Sequence, residues 1–152
     1  DVINGNYLAM TAKPWAEIPF DTNNHNDWRK SSLRRVLNND FLELLDKKHL
    51  VVQTSDLIAD NGDKAYGTSE DYVTILSCDQ YRKYRDIVPL FEEWMWTLTP
   101  WSCYPCTRTM CVVSIRQAMS ATTSTMRSTG MGLPRLVFSH LKISNCADRR
   151  IS

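Results

Sequence analysis

Three cysteines within nine residues, Cys103, Cys106 and Cys111 in the run TPWSCYPCTRTMC (99–111), form the densest group of metal-ligating or nucleophilic side chains in this sequence. Cysteine thiolates hold zinc well, and the two-residue gap between Cys103 and Cys106 is one that zinc sites favour. A structural zinc would draw on Cys103, Cys106, Cys111 and His140, but a second pair at matching spacing is absent. A zinc deaminase sets a Pro-Cys pair and a second Cys beside an upstream His, followed two residues on by a Glu that carries protons. Here His25 is followed by Asn26 and Asp27, and His49 by Leu50 and Val51, so the proton carrier is missing. The thiols therefore read as surface or half-buried groups, and no metal is expected. Five cysteines in all, with Cys78 and Cys146, leave at least one unpaired within a monomer. Their crowding is unlike the spread spacing of a secreted disulfide scaffold, so they read as mostly reduced.

Other chemistries find less support. Ser, Thr and Cys are plentiful, but three His and no nucleophile elbow or Cys-His signature leave a triad unsupported. The TGMG run (129–132) lacks the spacing and following helix of a phosphate loop. Glu92 and Glu93 read as a solvated strand entry rather than a general acid. No clustered Asp/Asn loop near 94–147 offers calcium ligands, and no cofactor is expected. Of the tryptophans, Trp28, Trp94 and Trp96 are expected to anchor the core.

The elements that must position these groups fit one domain, 1–152. Net charge is +1, but residues 1–93 carry 11 Lys/Arg against 16 Asp/Glu, and residues 94–152 carry 7 against a single acid, Asp148. The two halves are expected to attract each other. Arg108, Arg116, Arg127 and Arg135 stand alone, without the runs of a phosphate-binding stripe, so nucleic acid is not an expected partner. No apolar run is long enough for a transmembrane helix. The chain starts at Asp1 without a signal-peptide pattern and reads as a processed form or an excised domain.

An opening strand is predicted at 6–12, a break around Pro14 and Pro19, and a loop at 21–27. From Ser32, residues Leu33, Val36, Leu37, Phe41, Leu44 and Leu45 fall on one helical stripe, with Ser31 or Ser32 as cap. Turns at 56–68 precede a strand at 71–77 and a short helix. In that helix Ser77 and Gln80 have capping-box spacing, and Tyr81, Tyr84 and Val88 turn inward before Pro89. Strands are predicted at 94–99, stopped by Pro100, and at 110–115 and 135–143. The fold class is α+β: two helices packed on antiparallel sheets, with no alternation that suggests a parallel one. Across 97–129, 13 of 33 residues are Ser or Thr, too small and polar to fill a core, so that stretch reads as a surface displayed by flanking strands.

Four runs together, WRKSSLRRVLNNDFLELL (28–45), DYVTILSCDQYRKYR (71–85), WMWTLTPWS (94–102) and GLPRLVFSHLKIS (132–144), make the chain resemble a known family. It is similar to the variable proteins of diversity-generating retroelements, in the C-type-lectin-fold branch of gut bacteria and their phages. The resemblance implies a non-enzymatic binding domain with twisted sheets, whose C-terminal segment is rewritten through errors copied at template adenines. It departs at Gly132-Leu133-Pro134-Arg135, where the family closes with Gly-Val-Arg-Pro, and at Gln117 and Ala118, where the family has a Gly.

Carried onto this chain, the variable segment falls at about 103–129. Its ligand-binding side chains would be Cys103, Tyr104, Cys106, Thr107, Thr109, Cys111, Ser120, Thr122, Thr123, Thr125, Arg127 and Thr129. Met110, Gln117, Met119 and Met126 cannot arise from an Asn codon and would be scaffold or arise otherwise. The implied partner is a protein or cell-surface ligand of unspecified identity, met at a virion or bacterial surface without membrane insertion. With few aromatic side chains in the segment, monovalent binding should be weak, useful only when a larger assembly presents several copies. Two alternatives remain: an enzyme on the related formylglycine-generating architecture, needing Cys106 with Cys111 as a catalytic pair, and a structural virion subunit.

Overall fold

The computed structural model describes residues 2–3, 6–88, 93–103, 112–117, 124–129, 135–137 and 140–144, with side-chain surroundings given for 6–88 and 93–103. In chain order the elements are β1 (Val2–Ile3), β2 (Asn6–Met10), β3 (Ala16–Ile18), α1 (Ser32–Val36), β4 (Leu50–Val51), β5 (Gln53–Asp56), β6 (Thr68–Asp71) and β7 (Val73–Thr74). Then come α2 (Cys78–Tyr84), β8 (Met95–Pro100), β9 (Val112–Gln117), β10 (Ser124–Thr129), β11 (Arg135–Val137) and β12 (His140–Ser144). The fold is mixed α+β.

One sheet runs β1-β2-β12-β4, with β7 also on β12; a second runs β10-β9-β8-β11-β3; β5 and β6 form a separate pair. Strand β12 ties the chain's two ends together, Ile143 pairing with Tyr7 on one side and with Leu50 on the other. The second sheet contains one parallel pairing, Leu136 with Met95, where antiparallel strands alone were expected. Chain order allows it, because β9 and β10 intervene between β8 and β11, supplying the long connection that parallel neighbours need.

Several local expectations shift for identifiable reasons. Helical structure continues past α1 into a π turn over Leu37–Phe41, where the Leu42 amide bonds back to the Leu37 carbonyl, and then a 3₁₀ turn over Leu42–Leu44. The wider turn rotates everything after it by about one residue's angle. Leu33, Leu37 and Phe41 are buried as the stripe predicts, but Leu42 then turns inward and Leu44 is 71% exposed. The strand expected at 71–77 breaks at Tyr72. Asn38 from the π turn accepts the Tyr72 and Val73 amides at 3.1 Å each and donates to the Val73 carbonyl at 2.8 Å, taking a neighbouring strand's place. The run at 135–143 is two strands in different sheets, and 124–129, expected to be only displayed, is itself a strand. Strand β3 forms between Pro14 and Pro19 because it is a sheet edge, where the missing N–H groups of proline cost little.

The core has two parts, and β8 divides them. Trp96 and Leu98 join Phe20, Trp28, Leu33, Leu37, Phe41, Leu57, Val73 and Ile75 on one side. Met95 joins Leu76, Cys78, Tyr81 and Val88 on the other. Alternate side chains therefore enter different clusters, which explains why all of β8 is buried. Phe20 holds the aromatic centre, 5.7 Å from the Trp96 ring and 6.1 Å from the Trp28 ring. Trp28 and Trp96 are fully buried as expected, and Trp94 is half-buried.

Helix α2 carries the capping box read from sequence: the Ser77 hydroxyl accepts the Gln80 amide at 3.1 Å and the Gln80 side chain accepts the Ser77 amide at 2.9 Å. Replacing Ser77 by Ala is expected to cost about 1 kcal/mol. Urea unfolding of the S77A chain checks this, and a midpoint equal to the parent's would mean the box adds nothing.

Candidate functional site

The segment expected to bind ligand starts where β8 ends, and two loops grip that point. The first, 20–27, is shaped by Asp21. Its Oδ2 accepts the amides of His25 at 2.7 Å and Asn23 at 2.9 Å, and its Oδ1 accepts the Ser32 amide at 2.9 Å. Between them Asn24 takes a positive φ of 60°, a conformation that Asn tolerates better than most residues. Burial pushes the Asp21 carboxyl up, but the His25, Ser32 and Asn23 amides and the adjoining His25 ring outweigh it and hold the carboxyl below its ordinary value.

A carboxyl depressed in the folded state contributes stability above its unfolded pKa, and that contribution is lost as pH falls through the folded value. Titrating from pH 5 downward should therefore destabilise the parent more steeply than an Asp21→Asn chain. Parallel acid-unfolding curves would contradict this.

The tightened loop delivers Asn26 and Asp27 to buried positions. Asp27 caps a 3₁₀ turn over Trp28–Lys30 and holds the Arg29 guanidinium by two bonds, at 2.8 and 3.0 Å. Arg29 lies over the Tyr66 ring, 5.8 Å from its centre. Tyr66 belongs to the second loop, 57–67, whose turns use positive φ at Gly62 and Gly67 and whose mouth is closed by the Leu57 amide on the Gly67 carbonyl. Burial first, and then the Asp27 carboxylate, push the Tyr66 phenol up to about 12, so it stays a neutral donor.

Both loops converge on 100–103. The Tyr66 hydroxyl donates to Asn26 Oδ1 at 2.6 Å, and Asn26 Nδ2 donates to the Ser102 carbonyl at 2.8 Å. The Asp60 amide donates to the Pro100 carbonyl at 2.9 Å, and Cys103 Sγ lies 3.5 Å from the Asp63 carbonyl. Trp101 stands between these fixed points with 41% of its surface exposed.

A second polar centre locks the helical layer to the β5–β6 pair. The Asp71 carboxylate receives Arg34 Nε at 2.7 Å, Trp28 Nε1 at 3.0 Å and the Ser69 hydroxyl at 2.6 Å.

Of the twelve sequence-predicted ligand contacts, Tyr104, Cys106, Thr107, Thr109, Cys111, Ser120, Thr122 and Thr123 lie outside the described residues. Thr125, Arg127 and Thr129 fall at alternate positions of β10, opposite Arg116, Ser114 and Val112 of β9, and so share one face of the strand. The register places Met126, expected to be scaffold, in a row with Ile115 and Met95 across three strands. Cys103 is not on the surface: it is 8% exposed with its thiol against the 57–67 loop. Burial also pushes the Cys78 thiol up, which leaves it a poor nucleophile. Among the described residues no helix is long and apolar enough to cross a membrane, and no three His, Cys, Asp or Glu side chains gather as metal ligands.

Asn26, Tyr66, Asp21 and Asp71 escaped the sequence reading. The turn-rich composition of 21–27 and 56–68 marks both loops, but nothing local marks their meeting. No family model, curated protein or solved structure matches this chain.

Proposed function

We propose that this chain is a ligand-binding display domain with a C-type-lectin-like fold, a variable protein of a diversity-generating retroelement, and not an enzyme. The observation that carries the reading is the grip on residues 100–103. A surface rewritten again and again needs a support whose hydrogen bonds avoid the rewritten side chains. Here the supporting groups are the Asn26 and Tyr66 side chains, the Asp60 amide and the Asp63 carbonyl, all outside 103–129. Cys103 belongs with this support, and the varied surface starts beyond it.

The β9–β10 register sets Thr125, Arg127 and Thr129 at alternate positions, but both rows of β10 lead to buried residues of β8. Arg127 pairs with Ser114 and Ser114 with Trp96, while Met126 pairs with Ile115 and Ile115 with Met95. The reading therefore rests on the grip at 100–103. The ligand would be a protein or cell-surface molecule met at a virion or bacterial surface, bound by several copies together. Small Ser and Thr side chains lose little rotamer entropy on binding, so a fixed backbone matters more than any single contact.

The surrounding DNA tests the proposal. A reverse transcriptase gene should lie nearby, with a near-identical repeat that differs from codons 104–129 at adenines. An isolated gene with no such repeat sinks the retroelement reading. Binding tests the display reading separately, by probing glycan and bacterial-surface arrays with monomer and tetramer. Monomer affinity should be weaker than roughly 1 μM, and tetramers should gain about a hundredfold or more. A submicromolar monomer contradicts weak multivalent capture.

A further inference from the structure

We propose that the cleft between β5, the 57–62 turn and the start of α2 is a second ligand site, for a small primary amine bearing further hydrogen-bond donors, such as an amino sugar or a short diamine. The cleft has a volume of about 530 Å³, within the range of about 300–1,000 Å³ that small-molecule sites occupy. Among the described residues its lining reaches no further along the chain than Thr99, so the site draws on no residue of 103–129 and stands whether or not that segment is diversified.

The wall chemistry selects the ligand. Among the described residues, Asp56, Asp60 and Asp79 line the cleft with a single cation, Arg82. Arg82 is already engaged, 2.7 Å from Asp79 and 4.0 Å from Asp60. Asp56 has no ion pair among the described residues. Among the described lining residues three carboxylates thus face one guanidinium, a net negative charge that disfavours an anion and favours an ammonium group. Ser55 also lines the cleft; it is 9% exposed, and its hydroxyl makes no hydrogen bond among the described residues. A buried hydroxyl without a partner is costly, and a donor-rich ligand supplies one. Leu8 and Leu98 give an apolar floor, but among the described residues no aromatic ring lines the cleft for a neutral sugar to stack upon.

Glucosamine, putrescine, glucose and acetate serve as probes, followed by titration calorimetry and amide NMR shifts. Glucosamine and putrescine should bind with Kd of roughly 1 mM or tighter, shifting amides at 53–60 and 77–82. Glucose and acetate should bind at least about tenfold more weakly, and salt should weaken the amines. The Asp56→Asn, Asp60→Asn double variant should lose about tenfold in amine affinity with an unchanged melting temperature, since both side chains reach solvent. Thr54→Trp, at an exposed rim position, should block the cleft without touching those charges. The proposal is overturned by equal glucose binding, by no amine binding at about 10 mM, by shifts confined to 112–129, or by undiminished amine binding in the T54W chain.

Discussion

Asp71→Ala is expected to destabilise the fold by about 3–4 kcal/mol, the largest loss expected from a single polar side chain among the described residues. The Asp71 carboxylate is 4% exposed and receives Arg34, Trp28 and Ser69 together. Its removal leaves the Trp28 indole N–H buried without an acceptor, at the point where the helical layer meets the β5–β6 pair. Arg34 recovers part of its loss, because it is about one-third exposed and water can reach it. The figure therefore stays near the low end of the range for breaking a buried pair. In a domain of this size the melting temperature should fall by roughly 10 °C. Asp71→Asn separates charge from shape: it keeps the volume and one acceptor oxygen, and should lose about half as much. Trp28→Phe tests the indole bond alone, and its loss should shrink in the D71A background. A cost below about 1 kcal/mol for D71A would mean that the three donors find other partners.

What the sequence revealed follows the range of the interactions involved. The capping box of α2 was legible because both of its bonds join Ser77 and Gln80, three residues apart. The first half of the helical stripe was legible for the same reason, as far as Phe41. Beyond it, the π turn displaced Leu44 in favour of Leu42, and the cause lies in tertiary contacts: Asn38 is drawn onto the backbone at Tyr72 and Val73. Strand β3 was hidden by Pro14 and Pro19, since a proline's tolerance depends on whether the strand is an edge, which only the finished sheet decides.

The candidate site divides the same way. Clustered cysteines are conspicuous in a sequence, yet Cys103 proves to be a buried contact of the 57–67 loop. Asn26 is inconspicuous in DTNNHND, and its function as a bracket depends on Ser102, 76 residues away, and Tyr66, 40 residues away. No periodicity or spacing reports bonds of that span. Composition could mark 97–129 as unfit for a core; it could not indicate what braces its entrance.

That bracing gives the second large effect. Asn26→Ala removes the bonds to Ser102 and Tyr66 at once, leaving the half-buried Ser102 carbonyl and Tyr66 hydroxyl without that partner. A local cost of about 2 kcal/mol is expected. It should appear less in global unfolding than in the opening of the clamp, because the core clusters around Trp96 and Met95 remain packed. The Asp60 amide reports that opening, since its acceptor is the Pro100 carbonyl at the end of β8. Its hydrogen exchange should accelerate roughly thirtyfold in the N26A chain, while the Leu98 amide, bonded to the Leu76 carbonyl between the two clusters, stays protected. Thr125→Ala on β10 provides the contrast: it should change stability by no more than about 0.5 kcal/mol and leave Asp60 exchange untouched. If N26A and T125A altered Asp60 exchange equally, residues 100–103 would not be an independent brace, and the division between a fixed support and an interchangeable surface would fail.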